Sequence, residues 1–205
     1  MDIKFISFYT HNYKHEAKEL VETFNNLGMT NYEVELRDSI GDWTANTQIK
    51  APFILEKLKQ NEAVVWTDAD SRIKQIPTFF DTVETDVAMF YMDRKYNNNF
   101  KLPNNSILPE ELVDLEGYLQ SGTMFFKNND RTIALLESWI ELNEKDRTQW
   151  DQWTLQVLIA KADELTRTAL PPEYNYIDIV GPVISNNPPV ILHTQASRRF
   201  RKRRR

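Results

Sequence analysis

Short apolar runs alternate, through the first half of the chain, with stretches whose apolar positions recur every three or four residues. Ile3 to Phe8 is the first such run and predicts a buried strand. From Tyr13 to Leu27, residues Ala17, Leu20, Val21, Phe24 and Leu27 keep helical spacing, and Gly28 stands where a helix C-cap belongs. Tyr32 to Leu36 alternates as a second strand. Asn46 is placed to cap a helix carrying Ile49, Phe53, Ile54 and Leu58 on one face. That helix leads into a strand over Ala63–Trp66, and Val87–Met92 and Tyr118–Phe126 predict two more. Helices follow from about Asp130 to Leu142 and from about Gln149 to Ala162, the second opened by a Thr148-x-x-Asp151 capping box. Leu170-Pro171-Pro172 and Pro188-Pro189 mark turns, and Val190-Ile191-Leu192 a last short strand. The Asn- and Pro-rich segment from Tyr96 to Glu110 lacks periodicity and predicts a loop able to close over substrates. Alternating strands and helices imply an α/β fold, a mostly parallel sheet flanked by helices in a single domain.

The run Val64-Val65-Trp66-Thr67-Asp68-Ala69-Asp70 departs from that pattern. Buried strands ordinarily stop in turns of Gly, Pro or Asn, whereas this one stops in two carboxylates one residue apart. Like charges held so close are relieved by a divalent cation, and ligands of open α/β sheets bind at the carboxyl ends of strands. A solvated acidic turn would explain an isolated pair equally well.

Composition narrows the chemistry. With 205 residues, 41% hydrophobic and 27% charged, the chain can build one full core. No apolar run approaches the ~20 residues that span a bilayer, and Met1-Asp2-Ile3-Lys4-Phe5 has neither the basic start nor the long apolar core of a secretory signal. The absence of cysteine excludes disulfides and thiolate–metal sites and fits a cytoplasmic protein. Metal ligands must come from Asp, Glu, Asn and three His residues. Five glycines leave no room for a Gly-rich phosphate loop.

Charge is uneven. Seven of the 25 basic residues fall in the last eight positions, leaving 18 basic against 30 acidic groups over the first 197. The chain therefore divides into a domain over 1–197 and a basic tail over 198–205. The tail fits a polyanionic partner, DNA or an anionic membrane surface, or else a solubilising terminus. Were all seven tail cations to meet duplex phosphates, affinity would fall with salt at a log–log slope of about −6.

Five ordered motifs resemble a GT-A (Rossmann-like) glycosyltransferase, most closely the family-8-like nucleotide-diphospho-sugar transferases. They are Thr67-Asp68-Ala69-Asp70, preceded by a helix with Lys50 near its start; Leu119-Gln120-Ser121-Gly122-Thr123-Met124-Phe125-Phe126; Trp150-Asp151-Gln152; Leu170-Pro171-Pro172-Glu173-Tyr174-Asn175; and His193 with Arg199 six residues on. Trp153 stands where the family carries a second Asp, Ala196 where it carries Gly, and Arg199 where it carries Lys.

The resemblance implies a nucleotide-sugar donor, a UDP-sugar first, and an Mn²⁺ cofactor, with Mg²⁺ as the alternative. Asp70 and His193 would ligate the metal, and Asp68 would bind metal or ribose. Tyr9, Thr10 and His11 would contact the nucleotide, and Lys50, Arg198 and Arg199 the phosphates. Gln120 and Asp151 would bond sugar hydroxyls, with Gln152 near the anomeric carbon. Retention is favoured over inversion. The expected acceptor is a saccharide or glycolipid, with the basic tail able to hold the protein at the inner membrane face, or alternatively hydroxymethylated viral DNA. Two rival classes stand beside this reading. A nucleotidyltransferase would carry a Gly-rich basic loop that Phe8-Tyr9-Thr10-His11-Asn12 lacks, and a non-catalytic nucleic-acid-binding protein would act through the tail alone.

Overall fold

A computed structural model describes residues 1–93, 117–178 and 181–198. The chain runs through β1 (Ile3–Tyr9), α1 (Lys14–Asn26), β2 (Tyr32–Leu36), α2 (Trp43–Thr47), α3 (Lys50–Leu58), β3 (Ala63–Thr67) and β4 (Ser71–Ile73). It continues with β5 (Val87–Met92), β6 (Tyr118–Lys127), α4 (Asp130–Lys145), α5 (Asp151–Lys161), β7 (Arg167–Ala169), β8 (Tyr176–Ile177), α6 (Gly181–Ile184) and β9 (Ile191–His193). Six strands form the main sheet in the order β2-β1-β3-β6-β5-β7, and β4-β9-β8 form a small second one. β1 runs parallel to β2 and β3, and β7 to β5, while β6 is antiparallel to both its neighbours.

The apolar runs are continuous because the sheet is covered on both faces. Successive residues then serve opposite cores. Ile6, Phe8, Val64, Trp66 and Phe126 face the layer of α3, α4 and α5. Phe5, Ala63, Val65 and Phe125 pack with Leu20 and Phe24 of α1 and with Phe80. Phe8, Phe53 and Trp66 meet at centroid distances of 5.3–6.0 Å, each such pair adding about 0.5–1.5 kcal/mol beyond its buried area. Gly28 has a φ of +68°, the left-handed conformation that stops α1.

Several expectations are corrected. Asn46 caps nothing: it lies inside α2, whose cap is Asp42, accepting from the Ala45 N–H. Its carboxamide instead bonds Ser39, Ile40 and Gly41, tying down the preceding turn. The Thr148-x-x-Asp151 capping box does not form. Trp150 is the N-cap of α5, and Thr148 donates to Asp146. Strands β4, β7 and β8 and helix α6 were not expected, because two to four residues are too few to show a period. The segment Tyr96–Glu110 lies outside the described residues. No helix among the described residues is long and apolar enough to cross a membrane.

Asp86 joins the starts of β5, α4 and β7. Its buried carboxylate accepts from Asn129, from two nitrogens of Arg131 and from the Thr166 N–H, at 2.8–2.9 Å. Arg131 above all holds Asp86 well below the usual carboxylate range. A carboxylate depressed on folding stabilises above its unfolded pKa of about 3.9 and loses that contribution as pH falls. Asp86→Ala is therefore expected to cost about 2–4 kcal/mol at neutral pH. Urea melts across pH should show the gap between mutant and wild type closing below about pH 4.

Candidate active site

The carboxyl ends of β1 and β3 lie side by side, and β6, running the other way, enters beside them. Along this edge a cleft of about 500 Å³ opens, lined in strand order by Tyr9 and Thr10, then Asp68 and Asp70, then Gln120, Ser121 and Gly122. Here β6 leaves its ladder with β5: Met124 pairs with Met89 and Gln120 with Phe90, so Ser121, Gly122 and Thr123 bulge out of that pairing. Bulges re-aim side chains beside active sites.

After Thr67 the chain turns sharply, with the Ser71 N–H bonded to the Asp68 carbonyl, and enters β4. β4 pairs antiparallel with β9 so that Ser71 faces His193. This pairing carries a residue from near the end of the chain to the acidic turn. Asp68, Asp70 and His193 each offer one ligand atom, all within 4.8 Å of one another. The imidazole is fixed from both sides, by Thr123 Oγ1 at 2.9 Å from Nε2 and by Ser71 Oγ at 3.2 Å from Nδ1. Gly122 leaves the ring its space, since a Cβ there would stand 2.8 Å from His193 Cε1 and 2.9 Å from Asn175 Oδ1. Asn175, from the Tyr-Asn turn, accepts from the Thr123 N–H and so holds the bulge.

Electrostatics single out this cluster. Burial, helped by the Lys50 charge, pushes His193 down to about 3 and keeps it neutral, the form that ligates metals. Burial and the neighbouring Asp68 push Asp70 up to about 6. The Asp70 carboxylate accepts from the Ala196 N–H at 2.7 Å. Gln195 adopts a φ of +55° to present that N–H, strain of the kind found at functional sites. Two crowded carboxylates and a neutral imidazole fit a divalent ion such as Mn²⁺ or Mg²⁺, which would relieve their repulsion.

Lys50, expected near the phosphates, lines the cleft but is already paired. It is 5% exposed, with Nζ 2.8 Å from Asp151, 3.1 Å from Asp68 and within 3.2 Å of both oxygens of Ser121. Burial opposes its charge, but Asp151 and Asp68 outweigh burial and hold its pKa above the ordinary lysine value. Its three protons are thus committed. Asp151, freed from capping, points into the cleft and also accepts from Ser121 Oγ at 3.2 Å.

Tyr9, Thr10, Lys50, Asp68, Asp70, Gln120, Asp151, Gln152, His193 and Arg198 all line the one cleft. His11 does not: it is exposed in the turn after β1 and lines a separate surface hollow with Lys14 and Lys18. Tyr13, two residues on, takes the inward place, its hydroxyl pKa raised by burial and by Asp70 and Asp68. Arg199 lies outside the described residues. Trp43 lines the cleft as well, and a tryptophan in so polar a connection is the signal that the sequence offers for it. Gly122→Ala should lower stability by about 1–3 kcal/mol through overpacking against His193. Denaturant melts measure this, and unchanged stability would show that the ring has room to move.

Comparison with known proteins bears on what the cleft does. The sequence model of the nucleotide-diphospho-sugar transferases matches residues 33–205. No curated protein matches the sequence. Among solved structures, a glycosyltransferase involved in the glycosylation of the major capsid of PBCV-1 superposes with a TM-score of 0.68 at 14% identity, over 98% of this chain and 97% of that one. The WbbM bifunctional glycosyltransferase gives 0.64 at 13%, over 94% of this chain but 45% of its own. Mouse xyloside xylosyltransferase 1 gives 0.56 at 14%, over 96% and 99%. At such identities the likeness establishes the fold.

Proposed function

The chain belongs to the nucleotide-diphospho-sugar transferase family, and from that premise we propose a metal-dependent, retaining glycosyltransferase that moves a sugar from a UDP-sugar to a hydroxyl of a saccharide or glycolipid. That it is a glycosyltransferase of GT-A fold follows from the family and the architecture. The metal dependence rests on one observation: the Asp68–Asp70–His193 cluster at the carboxyl edge of the sheet.

Asp68, Asp70 and His193 would hold Mn²⁺ or Mg²⁺, which when bound neutralises charge developing on the departing diphosphate. Tyr9 and Thr10 border the β1 end, where the nucleotide belongs. Arg198, exposed at the cleft rim with Nε 2.9 Å from Gln195 Oε1, supplies a guanidinium for the phosphates. Gln120 and Gln152 face the β6 end, where the sugar belongs, and Gln152 is set by accepting from the Ser121 N–H. The donor's anomeric C–O bond to phosphate breaks as a bond to the acceptor oxygen forms. Among the described residues lining the cleft, the only carboxylates are Asp68, Asp70 and Asp151, the last paired with Lys50. With Asp68 and Asp70 on the metal and Asp151 held by Lys50, the acceptor proton would pass to the departing phosphate oxygen, the retaining course.

Thermal unfolding with UDP, GDP, CDP and ADP, with and without Mn²⁺, tests this reading. One nucleotide should stabilise the protein only when Mn²⁺ is present, by ~2.7 kcal/mol at one hundred times its dissociation constant, and Asp70→Asn should abolish the effect. Silence toward all four would overturn the reading. The metal-dependent increment should also shrink below about pH 6, where Asp70 takes up the competing proton. The metal-free protein should behave oppositely: a carboxyl raised on folding contributes stability at low pH and loses it as pH rises past about 6.

A further inference from the structure

Two further indoles line the cleft beside the residues assigned to the donor, and one of them, Trp43, donates to the Tyr13 hydroxyl. Trp66, the third tryptophan of the cleft, is floor: it is 2% exposed, packs on Phe8 and Phe53, and donates to Asp68. Trp43 and Trp150 are only partly buried and still line the cleft. They come from opposite halves of the chain, Trp43 opening α2 and Trp150 capping α5, and meet edge to face at 5.8 Å and 89°. The two connections are clasped independently, since the Gln48 carboxamide donates to the carbonyls of Gln149 and Asp146 at 3.1 and 3.4 Å. The placement of the pair is therefore built in, not a chance contact.

We infer that Trp43 and Trp150 form the platform on which the acceptor's sugar ring stacks. This rests on the transferase reading above. A pyranose presents a flat C–H face ringed by hydroxyls, and it is matched by an indole face bordered by amides and a carboxylate. Trp150 directly precedes Asp151 and Gln152, assigned above to the sugar, whereas Tyr9 and Thr10 are assigned to the nucleotide. Charge argues the same way. Three carboxylates and two cations line the described cleft, and one of those cations, Lys50, is buried and paired. The described lining thus offers a polyanionic acceptor such as DNA one exposed cation, Arg198, whereas a neutral glycoside needs none.

The test titrates tryptophan fluorescence with methyl glycosides of glucose, galactose, mannose and xylose, in Mn²⁺ and the nucleotide that raises the melting temperature. Wild type, Trp43→Phe and Trp150→Phe are compared, with Trp43→Leu and Trp150→Leu as stronger lesions. At least one glycoside should bind, and each Phe variant should weaken it about tenfold while the nucleotide-dependent shift in melting temperature is retained. Equal affinity in all variants, or glycosides that fail to bind while the nucleotide binds, overturns the platform and leaves the transferase reading standing. Displacement of the glycoside by hydroxymethylated duplex DNA overturns the choice of acceptor. Absence of any nucleotide effect removes the transferase reading and the platform with it.

Discussion

The backbone pairing of β4 with β9 is the contact on which the site depends. It joins residues 122 positions apart, Ser71 and His193, and sets a neutral imidazole against the acidic turn that ends β3. Two further bonds repeat the constraint, because Thr194 donates from both its N–H and its hydroxyl to the Asp70 carbonyl at 3.2 and 3.1 Å. Without that closure the two carboxylates would be a surface turn. With it they become one side of a desolvated three-ligand cluster.

A second layer sets how the charges are shared. Lys50, in the first turn of α3, is a buried cation placed between Asp68 and Asp151, with Trp66 beneath it at 5.2 Å from the ring centroid. A buried ion cluster is a weak contributor to stability, but removing one member leaves an uncompensated charge. Its value here is positional. The ammonium draws the start of α5 toward β6 and satisfies one carboxylate of the acidic pair, so that the unrelieved charge is concentrated on Asp70.

Much of the fold was legible because long apolar runs bounded by turn residues state both strand and layer. β2 and β5 fall on their expected residues, and β1, β3 and β6 extend theirs by one residue. Of the small sheet only β9 was legible, as the Val190–Leu192 run that the fold shifts by one residue to Ile191–His193. β4 and β8 are two or three residues long and are specified by partners far away in sequence, so no local period records them. The cleft residues were readable as types but not as partners. Lys50 near a helix start reads as a surface cation, and only the fold shows that two carboxylates claim it. Thr148 and Asp151 have capping-box spacing, yet Asp151 is drawn to Lys50 and Thr148 to Asp146, since a buried ion pair outcompetes a cap. His11 and Tyr13 differ in which side of a single 3₁₀ turn they occupy, which composition cannot resolve.

Pulsed electron paramagnetic resonance of bound Mn²⁺ tests the joint grip of the acidic turn and the distant imidazole most directly. A histidine nitrogen coupled to the ion should appear in the wild type and vanish in His193→Gln. Mn²⁺ bound without any nitrogen coupling, or no bound Mn²⁺ at all, would contradict the account.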